Sequence, residues 1–399
     1  MTDKFKSIFN NKAVTMIIVT ALSILFVVIG AKSSDAHLLT KSEEFYKAEV
    51  IAFEDVKVDE ISLDGGATSV SSKSVYFKAE FLTGPDKGKQ ETMLQYIDYM
   101  YGVQPKTIEK GDSILVSHVN DPVTSQPIWM FIDYSRVNAL IFICLAFFVL
   151  IILIGRKKGV ATIVSLLFTA AAIFLVYIPA ILAGKNIYLL TTVVSIFIIL
   201  MSLIFINGVN IKTFCAVLGN MGGVAVAGLL ALLTNQILGI TGIVDEDCLF
   251  LLYINSGHPL DLKAIVWGSI VIGSLGAVMD VAMSIASAMN ELSENMQDKS
   301  MKRMIKSGMN IGKDAIGTMT NTLILAYIGG SLSTVLLLVA SNKDPAYLLN
   351  MEMIAVEVLQ GVIGSTGILF AVPVTVIIAA YLYNKSYTLK EEKKLKHNE

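Results

Sequence analysis

The sequence predicts an α-helical polytopic membrane protein of about eight transmembrane helices, with a small extracytoplasmic β-rich domain between the first two. The 399 residues are 54% hydrophobic and have a mean hydropathy of +0.66, above the roughly 45–50% apolar share of soluble domains. The apolar residues also form runs of about 20, the length that crosses a hydrocarbon core. These runs are 13–31, 137–154, 160–182, 187–206, 214–238, 264–289, 316–340 and 353–383.

Positive charge predicts that both termini of this expected cell-membrane protein are cytoplasmic. In this orientation 17 Lys and Arg residues fall on cytoplasmic segments, and three, Lys185, Lys263 and Lys343, fall on short outer loops. This asymmetry follows the positive-inside rule. The first run has an alternative interpretation as a cleaved signal peptide. Its 19 residues exceed the roughly 7–15 of a signal h-region, which favours an uncleaved anchor.

Four segments therefore make up the predicted domain organisation. Residues 1–31 are the cytoplasmic N-terminus and anchor, 32–135 the extracytoplasmic β-rich domain, 136–385 a seven-helix transmembrane bundle, and 386–399 a charged cytoplasmic tail. The outer domain holds 17 acidic and 10 basic residues. We interpret it as a spacer or docking module in preference to a specific ligand site.

Alternating stretches in the outer segment predict a small β-barrel or β-sandwich. VYFKAEFL (75–82) and DSILVSHV (112–119) alternate apolar and polar residues, as half-buried strands do. Turn signals separate such stretches, namely DGG (64–66), GPDKG (84–88) and KGD (110–112).

Cysteine and histidine positions predict neither a disulfide framework nor a metal site. Cys144, Cys215 and Cys248 have no metal-type spacing, and His37 and His118 have no partner at ligand spacing. No cofactor is expected.

Asp280 is the main candidate for a functional residue in the bundle. It lies in GAVMDVAMSIAS (276–287), where an ionisable group costs at least about 2.5–3.5 kcal/mol and normally faces a bundle interior or a water-filled cavity. Helical steps of three and four put it on one face of the sixth span. That face comprises Ser269, Gly273, Ala277, Asp280, Ser284, Ser287 and Glu291.

The seventh span has a similar polar face. Asn310, Asp314, Thr318 and Asn321 follow one another at helical steps. Together the two faces predict a water-accessible vestibule in the cytoplasmic half of the membrane. The alternative is a set of interhelical hydrogen bonds, each worth about 0.6 kcal/mol. For Asp280 we prefer the functional interpretation, because a neutral Asn would serve a structural role at lower cost.

The last span predicts either a kinked or broken helix, or a packing surface. It contains GVIGSTG (361–367) and Pro373, and discontinuous helices expose backbone groups to substrate in many transporters. Glu357 and Gln360, near its outer end, are further pathway candidates.

Two other segments have structural interpretations that we prefer. In the fifth span, Gly219 and Gly223 have the small-xxx-small spacing of a helix-packing face, with Asn220 between them as a cavity candidate. In the outer loop at 244–261, a solvated acidic surface is favoured over a cation site. Its residues are Asp245, Glu246, Asp247, His258 and Asp261.

The central block resembles the YibE/F family of multipass membrane proteins. The resemblance is carried by SGHPLDLKAIVWGSIVIGSLGAVMDVAMSIASAMNEL (256–292) and SGMNIGKDAIGTMTNTLILAYIGGS (307–331), and it extends more weakly over the spans from about residue 137. GPDKGK (84–89) and KGDSILV (110–116) look like the outer part of a YibE-type member. The resemblance implies a Gram-positive bacterial source and a YibF-type paralogue as partner. Its signature has polar residues at Asp280, Asn290, Glu291, Asp314 and Asn321.

Function is predicted from physical arguments, because the resemblance brings no catalytic or binding residues. The leading hypothesis is a permease that moves a small solute or ion along a polar path around Asp280. The alternative is a membrane scaffold or envelope sensor whose outer domain binds a partner. No GxxxxGK[ST], HExxH or GxSxG pattern occurs, and Asp280 with Asp314 is the one candidate acid pair, so an enzyme is not expected. The lipid bilayer and a second copy or paralogue are the expected partners, and nucleic acid is not.

Overall fold

The computed structural model describes residues 12–33, 45–63, 68–98, 106–120, 127–254, 259–296, 300–341 and 344–398. The predicted turn at 64–66 and both His37 and His258 lie outside these ranges. The chain divides into two compact units, one formed by Leu38–Leu150 and the other by Met1–His37 with Ile151–Glu399.

A closed five-stranded barrel forms the first unit, so the barrel alternative of the sequence prediction is confirmed. The strands are β1 (Phe45–Leu63), β2 (Thr68–Phe81), β3 (Gln90–Asp98), β4 (Ser113–Asn120) and β5 (Pro127–Tyr134). Their order around the barrel is β1-β2-β3-β5-β4, and β4 pairs with β1 to close it. The β3–β5 pair is parallel and the other pairs are antiparallel. This is the strand order of an OB-fold, a barrel that often binds oligonucleotides or oligosaccharides.

Alternation along β2 fills the barrel interior. Val75, Phe77, Ala79 and Phe81 are at most 1% exposed, because every second side chain of a strand points to the same face. The two predicted turns that the structure describes are present. Gly84, Gly88 and Gly111 have positive φ angles, a conformation that glycine adopts without a Cβ penalty.

Gln95 ties the segment before β4 to the barrel core. This side chain is 2% exposed; its Oε1 accepts from the Ile108 N–H at 3.1 Å, and its Nε2 donates to the Lys106 carbonyl at 3.2 Å. Replacing it with Leu leaves the buried Ile108 N–H unpaired, while Lys106 keeps a bond from the Tyr134 hydroxyl. We expect Gln95→Leu to destabilise the barrel by about 2 kcal/mol. The measurement is amide hydrogen exchange at Ile108, which should be faster in Gln95→Leu than in Gln90→Leu, the control at an exposed site.

Helices account for most of the remaining described chain. They are α1 (Lys12–Ser33), α2 (Val137–Ala171), α3 (Ile178–Leu182), α4 (Ile187–Asn207), α5 (Ile211–Ile237), α6 (Glu246–Ile254), α7 (Leu262–Asn295), α8 (Met301–Gly330), α9 (Leu332–Ala340), α10 (Pro345–Asn350) and α11 (Glu352–Asn398), with a π-helical segment (Ala172–Tyr177) joining α2 to α3. Among described residues, six helical runs are long and apolar enough to cross a membrane by length and composition. They are Val14–Ser33, Val137–Leu182, Ile187–Asn207, Ile211–Ile237, Leu262–Asn295 and Glu352–Lys385.

The run Val137–Leu182 contains two of the eight predicted spans. The helix breaks at Arg156, whose φ of 49° and ψ of −125° are non-helical. Just beyond the break, a Cβ atom at Gly159 would overlap the carbonyl oxygen of Ile151. The chain therefore reverses at the RKKG sequence that separates the two predicted spans.

The predicted span 316–340 is interrupted in the structure by a break in the helix. α8 ends at Gly330 and α9 begins at Leu332, with Ser331 between them. Two consecutive glycines before a serine have low helix propensity, which accounts for the break. The preceding part of α8 is too polar to be among the six apolar runs.

Glycines of α5 and α11 bring these helices into close contact with α7 at the centre of the bundle. A Cβ at Gly223 would lie 2.7 Å from the Gly367 carbonyl oxygen and 2.8 Å from Cγ1 of Val278, and a Cβ at Gly219 would overlap the Thr375 hydroxyl. The predicted packing face on α5 is thus confirmed. α11 is continuous through Pro373, so the broken-helix alternative is wrong and the packing alternative is correct.

The N-terminal helix packs within the second unit, against α4 and the π-helical segment. The rings of Phe26 and Phe197 stack with centroids 4.0 Å apart, and Gly30 lies against the side chain of Val176. At the end of α1, Lys185 Nζ donates to the Ser33 carbonyl. α4 and the π-helical segment therefore cover part of the apolar surface of α1.

A carboxylate joins the start of α11 to the loop after α5. Glu352 accepts from the Thr241 N–H at 2.9 Å, the Thr241 hydroxyl at 2.8 Å and the Gly242 N–H at 2.6 Å. Gly239 and Gly242 have positive φ angles of 62° and 90°, which turn the loop so that its amides point at Glu352. One side chain therefore holds two segments that are 110 residues apart.

Candidate functional site: a polar lane on α7 and α8

A polar lane runs along the exposed face of α7. Its members are either charged, hydroxylated or glycine, and all but the half-buried Ser287 are exposed: Ser269, Gly273, Gly276, Asp280, Ser284, Ser287 and Glu291. The opposite face of α7 carries Ile270, Val278 and Ile285, which are at most 1% exposed. The lane spans 23 residues, and the 22 helical steps from Ser269 to Glu291 measure about 33 Å at the α-helical rise, close to the thickness of a hydrocarbon core.

The structure places Asp280 on the surface of the single chain and not inside the bundle. The expected helix face is present, with Gly276 as an additional member between Gly273 and Asp280. The apolar face of α7 packs on α5 and α11 through residues such as Val278. Since α7 buries this side, its polar side points outward.

The predicted polar face of α8 is also exposed. Asn310, Asp314, Thr318 and Asn321 are all solvent-accessible, while Met304, Gly308 and Gly312 on the other side are buried. A Cβ at Gly308 would lie against Met289 of α7 and Val376 of α11. α8 thus packs through a glycine face and leaves its polar face uncovered.

The polar side chains of the two faces do not bond to one another within the described residues. The Thr318 hydroxyl bonds to the backbone carbonyls of Asp314 and Ala315 in its own helix. The side chains of Asp280, Ser284 and Asn321 make no hydrogen bond or ion pair with any described residue. A single chain therefore does not assemble the predicted group of Asp280, Ser284, Thr318 and Asn321, nor does it bond Asp280 to Asp314.

Glu357 and Gln360 lie at the end of the lane where α7 begins. Gln360 Nε2 approaches the Ser269 hydroxyl at 3.5 Å, and Glu357 lines a cavity of about 240 Å³ between α8, α9 and α11. Tyr327 lines the same cavity, with its hydroxyl against Gly273 of the lane. Tyr327 was not predicted from the sequence. Its contact with Gly273 joins two helices, and a single sequence does not show which residues of different helices meet.

A second hydrogen-bonded group occupies the other end of the lane. The Tyr383 hydroxyl donates to Asn290 Oδ1 at 3.0 Å, and Asn290 Nδ2 donates to Glu294 Oε1 at 3.0 Å. Glu291 is exposed beside this group, and its carbonyl accepts from Asn295. Glu294 and Tyr383 were not among the predicted residues, although Asn290 and Glu294 have the i, i+4 spacing of helix neighbours.

Asn220 is fully buried in α5, and both its amide atoms lack a hydrogen-bond partner among described residues. Its neighbours Gly219 and Gly223 are in tight contact with α11. The cavity role of Asn220 stays a prediction.

The acidic loop before α7 has structural roles at two of its carboxylates. Asp245 caps α6 by accepting from the Cys248 N–H, and Asp261 caps α7 by accepting from the Ala264 N–H. Such caps satisfy the free N–H groups at a helix start. In the described part of the chain, no three His, Cys, Asp or Glu side chains are grouped as metal ligands would be.

The barrel has a separate cavity of about 300 Å³. Its wall includes four rings, those of Tyr46, Phe81, His118 and Trp129, and its other lining residues are Thr83, Pro85, Asp86 and Ser117. All of these residues belong to the barrel unit. This cavity is a second candidate site, independent of the helical lane.

Long apolar helices and a separate β-barrel together define a helical membrane protein with a small β domain. The YibE/F-like protein family matches residues 143–385, more than half of the 399-residue chain. The chain belongs to this family, and the resemblance seen in the central block is confirmed. The match includes α7 and α8 and leaves the barrel outside. The comparison with curated proteins gave no match, and neither did that with solved structures.

Proposed function

We propose that the protein is a permease whose polar path follows the lane on α7. The observation that carries this proposal is the exposed position of Asp280 within a lane about 33 Å long. A carboxylate facing lipid costs at least about 2.5–3.5 kcal/mol, so the lane needs a covering surface in the membrane. No atom lies within 4 Å of a Cβ position at Gly276, so this glycine allows another helix to approach closely.

A second chain is the proposed cover for the lane. A second copy of this chain would bring its own α7 and α8 faces to the contact, and a YibF-type paralogue would bring related helices. In either assembly, Asp280 would bind a proton or another cation, while Ser284, Ser287, Thr318 and Asn321 line the path. We propose the cell membrane as the location, with both termini in the cytoplasm and no catalytic step.

The test measures ion flux in liposomes that contain the purified protein. Proton, sodium, potassium and calcium entry are followed with ion-sensitive dyes for the wild type, Asp280→Asn and the control Asp247→Asn, an exposed residue near the start of α6. We expect Asp280→Asn to abolish a flux that the wild type and control share. If the wild type carries no flux, or if Asp280→Asn carries the same flux, the permease proposal fails.

The alternative function is a membrane scaffold or envelope sensor, and the barrel cavity is the observation that favours it. For this function, the helices anchor the barrel and join it to a partner in the bilayer. Asp280→Asn would then weaken the association between chains, seen as a smaller particle by mass photometry in nanodiscs. The ion-flux measurement distinguishes the two functions, because a scaffold does not need to transport ions.

A further inference from the structure

The barrel cavity combines aromatic walls with polar groups at its rim. Trp129 meets the rings of Phe81 and His118 at centroid distances of 4.9 Å each, and that of Tyr46 at 5.6 Å, with interplanar angles of 70–78°. His118 is exposed, and its imidazole makes no hydrogen bond with the described residues. Phe81, at 1% exposure, forms part of the floor.

The neighbouring turn holds this wall in position. Gly84 has a φ of +92°, and a Cβ there would overlap the Tyr46 ring. The Thr83 hydroxyl accepts from the Lys47 N–H at 2.8 Å, which ties the turn to β1. The GPDKG turn therefore forms part of the cavity as well as connecting β2 to β3.

Charge at the rim favours an uncharged ligand. Asp86 Oδ1 is 2.7 Å from Lys89 Nζ, and this hydrogen bond raises the pKa of the Lys89 ammonium, so that the two charges offset each other. The surrounding segment 32–135, with 17 acidic and 10 basic residues, disfavours a polyanion. The second oxygen of Asp86 and the His118 imidazole can still accept or donate hydrogen bonds to hydroxyl groups.

We propose that the barrel cavity binds a neutral sugar ring of a glycan. The apolar C–H face of a pyranose stacks on aromatic rings such as Trp129, while its hydroxyls bond to Asp86 and His118. A volume of about 300 Å³ lies at the lower end of small-ligand sites, which suits one or two sugar units. The OB-fold strand order is compatible with this ligand class. The site is independent of the proposed transport path.

The experiment measures sugar binding to the full chain by isothermal titration calorimetry. Lipid nanodiscs replace detergent, because sugar-headed detergents would compete for the site. The probes are chitotriose, maltotriose, cellotriose and mannotriose, with choline as a cationic probe and a sulfated disaccharide as an anionic one. The variants are His118→Ala and Asp86→Asn, with Phe53→Ala as control, since Phe53 is 48% exposed on β1 and does not line the cavity.

We expect saturable binding of at least one neutral trisaccharide, weakened about tenfold by each rim substitution and unchanged by Phe53→Ala. Absence of saturable binding by all four sugars overturns the proposal, and so does binding of choline or the sulfated sugar alone. Sugar affinity equal to that of the wild type in both His118→Ala and Asp86→Asn would also overturn it. Asp280→Asn should bind sugar normally, which separates this result from a failure of the permease proposal.

Discussion

Gly223→Val should strongly destabilise the helical bundle. The added Cβ would lie 2.7 Å from the Gly367 carbonyl oxygen, 2.8 Å from Val278 Cγ1 and 2.9 Å from Ala371 Cβ. Two of the crowded atoms belong to α11 and one to α7, so α5 cannot move away from one without approaching another. We expect a loss of about 3 kcal/mol, the upper end of the usual cost of overpacking. The measurements are yield in the membrane fraction and the unfolding midpoint in detergent.

Gly317→Val is the matched control for this change. It places the same β-branched side chain in a helix and carries the same propensity cost, but no atom lies within 4 Å of a Cβ at Gly317. If the unfolding midpoint falls a little in Gly317→Val and much more in Gly223→Val, the difference is due to packing. Equal shifts in the two variants would contradict the tight α5–α11 contact.

Glu352→Ala should release the loop after α5 from the start of α11. The substitution removes three hydrogen bonds to a carboxylate, two of them from the backbone amides of Thr241 and Gly242. Hydrogen bonds to charged groups contribute about 1.5–3 kcal/mol each, but the exposed Thr241 recovers water as a partner. We therefore expect a net loss of about 2–3 kcal/mol in unfolding free energy.

Thermal unfolding and proteolysis at 239–242 measure this effect. Glu352→Gln is the intermediate variant, because its amide oxygen still accepts one or two of the bonds without the charge. Its stability should fall between those of the wild type and Glu352→Ala. An unfolding midpoint for Glu352→Ala equal to that of the wild type would show that the contact contributes nothing.

The regular parts of the fold were predictable because their signals are local. Apolar runs of membrane length, alternation around Val75 to Phe81, and the turn glycines at 84 and 111 each arise from a few adjacent residues. The helix face that contains Asp280 was equally predictable, since helical spacing alone determines which residues share a face.

The side of the bundle that this face occupies was not predictable from one sequence. An inward and an outward polar face have the same spacing, and only the contacts of Val278 and Gly223 decide between them. The cavity residue Tyr327 and the Glu352 contact also depend on segments distant in the chain. Likewise, the GVIGSTG pattern is compatible with a break or a packing face, and close partners at Gly367 favoured the latter.

The outward position of Asp280 has a consequence for biosynthesis. A copy made without its proposed partner would expose the carboxylate to lipid, whereas an assembled copy would not. Orphan copies would therefore be less stably inserted and would offer a longer opportunity for membrane proteases. The steady-state amount of this chain should then follow the supply of its partner, even when its own rate of synthesis is constant.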